Sequence, residues 1–420
     1  MNPRKLAILG QGYVGLPLAM RAVEVGYEVV GFDVDKSRVD RLREGDSFVE
    51  DIKNVTLQNA LATGRYLPTD NIRDCEGFDV AVISVPTPLR DGLPDLSYVE
   101  QASALVAPMV RPESCVVLES TTYPGTTTEV VAPILERGSG LTAGADFRLG
   151  YSPERIDPGN AAWRFENTPK LVSGVDSASL AAVRSFYDTL VDETVEMGTP
   201  AAAELAKLIE NTFRHVNIAL ANELAMIAEE LGIDIWEAIR GASTKPFGFM
   251  PFYPGPGVGG HCIPVDPSFL SWRVRRRLGY AFRFVEIAND VNDHMPDYVV
   301  ERLLLAFNRR SLPLNGSTLL VLGLAYKAGS ADARQSPAIP VIEQLLELGA
   351  KIRLADPYVG AVPLDDRVVR VDATVQEASA ADGVVLLTDH EVFDLPALAS
   401  ASHYFFDTRH RASGSSVEYL

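Results

Sequence analysis

"KLAILGQGYVGLPLAMRAVEVGYEVVGFDVD", residues 5–35, decides the fold of the first part of this chain. Leu6 to Leu9 form a short apolar run, Gly10, Gly12 and Gly15 supply the spacing G-x-G-x-x-G, and a second apolar run from Val29 to Phe32 ends on Asp33. This is the order strand, glycine turn, helix, strand of a dinucleotide-binding unit. The first glycines let the backbone approach a pyrophosphate held at a helix N-terminus, and an acid about 20 residues on accepts hydrogen bonds from ribose hydroxyls. Asp33 occupies that position and would repel a 2′-phosphate, which favours NAD over NADP; Lys36 and Arg38 nearby weigh the other way.

Moving outward, "DVAVISVPTP" (79–88) and "CVVLESTTYPG" (115–125) read as further strands, each running into a polar, proline-containing turn. Ligands of such sheets bind beyond the strand C-termini, so Thr87 and the run Ser120, Thr121, Thr122 are placed near the cofactor edge. Serine and threonine also favour turns for local hydrogen bonds, which leaves each of them with a second reading. From Pro200 to Leu231 the chain is apolar around most of a helical circumference and stops at Gly232, which predicts a long buried helix joining domains or subunits. Lys207 and Asn211, four residues apart, share one face of it and point into a polar site rather than into solvent.

The last third begins again. "STLLVLGLAYKAG" (317–329) is strand and glycine turn, "AIPVIEQLLELG" (338–349) helix, and "AKIRLADPY" (350–358) a strand ending on Asp356. "LELGAKIRLADPY" repeats the pattern of "VEVGYEVVGFDVD": helix-end glycine, strand, terminal acid. The expected fold class is α/β, with two doubly wound Rossmann-like domains, residues 1–198 and 309–420, joined by a mainly helical domain, 199–308, that contains the long helix. The second sheet either holds another nucleotide or only packs.

Composition bounds the function. A chain of 420 residues with 47% hydrophobic and 22% charged residues is an ordinary soluble protein, and its net charge of −18 argues against nucleic acid or an anionic membrane as partner. The N-terminal apolar run is too short for a signal peptide. The three cysteines show no CxxC spacing and the six histidines no ligand cluster, which predicts a cytoplasmic setting and no metal. Cys262 stands in "PGPGVGGHCIPVDP" (254–267), a composition that excludes helix and strand and predicts a loop lying closely against something.

With two such domains, a long helix and a cysteine loop after it, the chain resembles the UDP-glucose/GDP-mannose dehydrogenase family from end to end. The motifs are "GQGYVGLPLA", "VPTP", "ESTTYPGT", "SPER", "ELAKLIENTFRHVNIALANE", "GVGGHCIPVDP" and "YKAGSADARQSPA", in family order. The resemblance implies oxidation of the C6 alcohol of a nucleotide-linked hexose to a carboxylate by two NAD in succession, with Cys262 capturing the aldehyde and carrying a thioester. It gives Lys207 and Asn211 the developing oxyanion, Asp266 a role in orienting water or tuning the lysine, Glu154 of "SPER" thioester hydrolysis, and Thr121 a catalytic water. It places Gly10, Gly12, Tyr13, Val14, Gly15, Asp33, Lys36, Arg38, Pro86, Thr87, Ser120, Thr121 and Arg334 on the cofactor. Glu154, Arg155, Lys207, Asn211, Phe249, Tyr253, Gly259, Gly260 and Lys327 fall on the substrate, with Lys327 and Arg334 bridging substrate phosphate and cofactor. The glycines around Cys262 are expected to let the loop backbone lie against the sugar. His261 is an alternative base that the family does not require, and "RVRRR" (273–277) reads as a phosphate contact or a solvated helix face.

"SPERIDPG" departs from the "SPEFLREG" of UDP-glucose enzymes, and "TKPFGFMPFYPGPGVGGHCIPVDP" looks like the branch acting on UDP-N-acetylhexosamines. UDP- and dTDP-hexoses therefore both stand as substrates, and a homodimer or higher homo-oligomer is expected from the apolar helix. Two alternatives are a silent sensor of NAD or nucleotide sugar, and a single-step NAD hydroxy-acid dehydrogenase.

Overall fold

A computed structural model describes residues 4–420 except 50, 91, 157–159, 161 and 261. It divides into two compact units, residues 1–210 with 268–280, and 211–267 with 281–420.

In the first unit, β1 (Lys5–Leu9), β2 (Glu28–Phe32), β3 (Tyr66–Thr69) and β4 (Val80–Ile83) precede a short antiparallel hairpin of β5 (Leu89–Arg90) and β6 (Leu93–Pro94). Then follow β7 (Cys115–Leu118), β8 (Arg148–Tyr151), β9 (Lys170–Gly174) and β10 (Thr194–Glu196). The main sheet runs β10-β9-β8-β7-β4-β1-β2-β3, parallel throughout except that β9 runs against β8. Its strands are apolar at consecutive positions because helices cover both faces. Leu6, Ile8, Val80, Val82 and Val117 enter one core, while Ala7, Leu9, Ala81, Ile83, Val116 and Leu118 enter the other.

The second unit holds β11 (Thr318–Leu322), β12 (Lys351–Ala355), β13 (Val369–Arg370), β14 (Gly383–Leu386), β15 (Phe405–Asp407) and β16 (Val417–Tyr419), ordered β13-β12-β11-β14-β15-β16 and all parallel. Leu319, Val321 and Val385 face one core, Leu320, Leu322, Val384 and Leu386 the other. The chain is thus α/β, with a Rossmann-like sheet near each end and a helical middle.

That middle is dominated by helices Pro200–Glu230 and Arg283–Arg309. The first ends where Gly232 turns left-handed (φ +67°) and Ile233 N–H reaches back to Ala228 O at 2.8 Å. Within the second unit the two helices are cross-linked by polar pairs: His215 to Asn289 Oδ1 at 2.7 Å, Asn222 Nδ2 to Asn292 Oδ1 at 2.9 Å and Arg302 to Glu229 at 3.2 Å. Within the single chain the long helix buries one side and leaves another exposed. Leu205, Ile209, Phe213, Leu220, Leu224, Ile227 and Leu231 form an exposed row along it, Ile209 at 56% and Leu231 at 66% of full exposure. One face is core; the opposite face is equally apolar and uncovered.

Candidate active site

The three glycines after β1 have three different physical roles. Gly10 is left-handed (φ +97°), and a Cβ there would lie 2.6 Å from Ser84 O, so it makes the tight turn. A Cβ at Gly15, the first residue of helix Gly15–Glu24, would stand 1.9 Å from Gly10 O, so it permits close approach of helix and strand. At Gly12 a Cβ would meet nothing within 4 Å. That open backbone at a helix N-terminus is what a pyrophosphate requires, and the turn fits NAD.

Asp33, buried at the end of β2, accepts from Gln11 N and Asp35 N, both at 2.9 Å and one on each carboxylate oxygen. A carboxylate offers about four acceptor positions, which leaves two for a ribose diol. Gln11 is held in turn by the Tyr66 hydroxyl at 2.6 Å. Arg38 lies 3.9 Å from Asp33 and 3.4 Å from Asp35, while Lys36 is exposed at the start of the next helix. Tyr13 and Val14 are half-buried in the glycine turn, and exposed Pro86 and half-buried Thr87 follow β4. The Ser120 hydroxyl donates to Val85 O at 2.7 Å, joining the ends of β7 and β4, so its donor is occupied by the backbone.

Past β7 and β8 the same unit holds half-buried Thr121 and Glu154. Glu154 Oε1 accepts from Arg155 N at 2.6 Å and Ile156 N at 2.5 Å, and Oε2 lies 3.4 Å from Lys170 Nζ. The Arg155 guanidinium contacts Pro169 O at 2.7 Å and Glu210 at 2.8 Å. Lys170 is buried against Glu119, a pair absent from the expected site. Burial pushes the Glu119 carboxyl up to about 7 against the pull of Lys170, with Glu154 adding to the rise. Glu204, also missed, accepts from Gly125 N, Thr127 N and the Thr127 hydroxyl at 2.6–2.9 Å and ties the "TTYPGT" turn to the long helix. The only signal for Glu119 was its place directly before Ser120 in "ESTTYPG".

In the second unit three of the expected catalytic residues, Cys262, Asp266 and Asn211, are linked by hydrogen bonds. Half-buried Cys262 precedes helix Asp266–Leu278, and its carbonyl accepts from Asp266 N at 2.8 Å. The buried Asp266 carboxylate accepts from Asn211 Nδ2 at 2.5 Å. Lys207 lies one turn before Asn211 on the same helix and is only 9% exposed, so the two polar side chains do avoid solvent. His261 lies outside the described residues, as do positions 157–159 of "SPERIDPG". Of the "RVRRR" run, which belongs to the first unit, Arg275, Arg276 and Arg277 are exposed, whereas Arg273 pairs with Glu129 at 2.5 Å.

The glycines near Cys262 lie closely against other parts of the same unit. A Cβ on Gly259 would lie 2.7 Å from Gln335 O, one on Gly260 (φ +88°) 2.8 Å from the Tyr326 ring, and one on Gly257 3.1 Å from Asn292 O. The missing side chains make room for the chain's own 326–337 loop, to which Gly260 N also bonds through Arg334 O at 3.2 Å. Upstream, Phe249 is 43% and Tyr253 51% exposed, Tyr253 stacking on Trp236 with ring centroids 5.8 Å apart.

On that loop Lys327 is half-buried, and exposed Arg334 forms a fork with Asp332, with Nη2 at 2.6 Å. Asp356, the counterpart of Asp33, is fully enclosed. Its oxygens accept from Leu324 N, Ala325 N, Tyr358 N and Val359 N at 2.6–2.9 Å and lie 3.0 Å from His390 Nε2. Burial alone would raise this carboxyl, but the hydrogen bonds from His390 and the amides hold it well below the usual carboxylate range. Among the described residues no group of three His, Cys, Asp or Glu is placed to hold a metal, and no helix is long and apolar enough to cross a membrane.

Comparison with known proteins agrees with this arrangement along the whole chain. UDP-N-acetyl-D-glucosamine 6-dehydrogenase of Salmonella typhi is 37% identical, over 97% of this chain and 96% of that protein. The solved UDP-D-ManNAc dehydrogenase of Pyrococcus horikoshii superposes with a TM-score of 0.88 at 33% identity, covering 99% of both chains. A UDP-glucose dehydrogenase from Pyrobaculum islandicum gives 0.88 at 29%, over 100% of this chain and 97% of that one. Residues 4–191 match the NAD binding domain, 201–294 the central domain and 320–413 the UDP binding domain of one family, and the chain belongs to it: the UDP-glucose/GDP-mannose dehydrogenase family.

Proposed function

We propose that this NAD-dependent nucleotide-sugar dehydrogenase oxidises the C6 alcohol of a nucleoside-diphosphate hexose to the carboxylate, a four-electron reaction carried through a thioester on Cys262. The observation that supports this most is the bonded row Cys262, Asp266, Asn211, one helical turn from Lys207. NAD, when bound at the Gly12 turn, accepts a hydride in each of two rounds.

In the first round Lys207 and Asn211 hold the C6 oxygen as its proton passes to water. Asp266 fixes one of the two Asn211 amide hydrogens and leaves the other for that oxygen. The Cys262 thiolate then adds to the aldehyde carbon, and loss of the second hydride from the hemithioacetal leaves an acyl–sulfur bond. Water attacks the acyl carbon, its proton passes to Glu154, and the thiolate leaves; Thr121 holds that water. Lys327 and Arg334 supply cations for the substrate's phosphates in a chain whose net charge is −18.

The sugar is read as a UDP-hexose with a 2-acetamido group, on the strength of "SPERIDPG" and the relatives' names, with UDP-glucose and dTDP-glucose behind it. The functional division is 1–198, 199–308 and 309–420, and the reaction is placed in the cytoplasm. A panel of UDP- and dTDP-hexoses, followed by NADH absorbance, tests the reading: two NADH and one carboxylate per sugar are expected. Cys262→Ala should keep both ligands and lower acid formation about a thousandfold. One NADH per sugar would point to the single-step alternative, and none with any sugar to the silent sensor.

The exposed row from Leu205 to Leu231 is proposed to pair with a second copy of the chain, since a monomer rarely leaves so long an apolar strip in water. Light scattering should give a mass of at least a dimer; a monomer at assay concentration would refute the pairing.

A further inference from the structure

We propose that Glu119 and Lys170 are positioning residues for Glu154, and that the charge on Glu119 sets how strong a base Glu154 is during thioester hydrolysis. This rests on the reading of Glu154 as the base in that step.

The geometry follows from the antiparallel step between β8 and β9 in the first sheet. Glu119 directly follows β7 and Glu154 lies three residues beyond β8, at the edge where the parallel strands end. Because β9 runs against β8, its first residue, Lys170, arrives at that same edge. One ammonium therefore meets two carboxylates: it contacts Glu119 Oε1 directly and stands 3.4 Å from Glu154 Oε2. The rings of Phe165 and Tyr187 lie 5.4 and 5.2 Å from the ammonium and help to wall it in. Glu119 and Lys170 are 0% and 3% exposed.

Two anions and one cation in such a place leave one uncompensated negative charge, which a proton can remove. Glu119 is the group that takes it. It is the more deeply buried acid, and its Oε2 has no partner among the described residues. Glu154, by contrast, is less buried and accepts two backbone N–H groups on Oε1. The other titratable groups facing this cluster do not compete near neutral pH. The Tyr187 hydroxyl, 3.4 Å from Glu119 Oε1, is raised well above its ordinary value by burial and by Glu119, and the Cys115 thiol is pushed up to about 12 by burial.

The consequence has a definite sign. With Glu119 protonated, Lys170 acts on Glu154 alone and weakens it as a base. With Glu119 ionised, the lysine is shared, a second negative charge stands close, and Glu154 binds the proton of the attacking water more readily. Hydrolysis should therefore quicken as pH rises through the Glu119 transition, while substrate binding and the two oxidations are not directly affected.

The test uses the whole enzyme with whichever nucleotide sugar it turns over. Glu119→Gln should keep kcat/KM and the rapid release of two NADH per subunit. It should then lower steady-state kcat about tenfold at pH near 8, lose the rise in kcat through pH about 7, and accumulate acyl-Cys262 detectable by mass spectrometry. Lys170→Arg should restore the profile that Lys170→Met loses. If Glu119→Gln does not fold, Tyr187→Phe keeps every charge and should move the transition to higher pH, because the donor to Glu119 is gone. Superimposable pH profiles for wild type and variant, or a fall in kcat/KM as large as that in kcat with the profile unchanged, would overturn the inference. An inactive wild type would sink the reading of Glu154 first, and this inference with it.

Discussion

The two sheets of this chain have the same plan and different chemistry. Leaving aside the hairpin, the first six parallel strands of one run β3-β2-β1-β4-β7-β8, and the other runs β13-β12-β11-β14-β15-β16. Each first strand ends on a left-handed glycine, Gly10 (φ +97°) or Gly323 (φ +90°), whose missing Cβ would lie 2.6 Å from the carbonyl just beyond the fourth strand, Ser84 or Thr388. Each second strand ends at an aspartate. Asp33 receives two backbone amides, whereas Asp356 receives four and faces His390. Topology places a crevice at the same point twice. The count of donors decides whether the acid at its lip serves a ligand or its own loop.

Asp356→Asn should give the largest effect. Removing a buried anion held by five donors should cost about 3 kcal/mol or more, seen as a lower thermal midpoint by circular dichroism with NAD affinity unchanged. Because the folded carboxyl lies below its unfolded value of about 3.9, this stabilisation is present above that pH and is lost as pH falls below it. The wild type should lose its advantage over Asp356→Asn in acid.

Gly12→Val comes next. It fills the open approach to the first turn without a clash, so NAD should bind about a hundredfold more weakly, close to 3 kcal/mol, at nearly unchanged stability. Asp33→Ser should have the smallest effect, about tenfold in NAD affinity with a narrower gap to NADP, measured by titration calorimetry. If Asp33→Ser destabilised the fold as much as Asp356→Asn, the two acids would have the same job and the contrast would fail.

Much of this was legible in the sequence because it rests on local pattern. The glycine spacing and Asp33 lie within 24 consecutive residues, 10–33, and the repeat at Asp356 was visible as "LELGAKIRLADPY". What the repeat could not reveal was that Asp356 is saturated, since two of its donors, Leu324 and Ala325, come from a loop some 30 residues earlier and His390 from one 34 residues later. Glu119 and Lys170 were invisible for the same reason: 51 residues separate them, and only the antiparallel step from β8 to β9 brings them together. The long helix was legible as apolar over most of its circumference, but that pattern cannot say which of its apolar residues the chain itself buries. The glycines flanking Cys262 pointed to close packing, and the structure shows that the partner is Tyr326 and Gln335 of the same unit.

The antiparallel step also bears on how the chain finds its fold. Successive side chains of a strand point to opposite faces, so a slip of β9 by one residue against β8 would turn Lys170 away from Glu119 and push a bare ammonium towards the apolar side of the sheet. Gly150 sharpens the penalty: a Cβ there would stand 2.2 Å from Ser173 O, so β8 and β9 fit together only where that glycine meets backbone. The pairing with Glu119 thus doubles as a check on register. A mispaired sheet would declare itself by an unpaired buried charge before the rest of the unit could close around it.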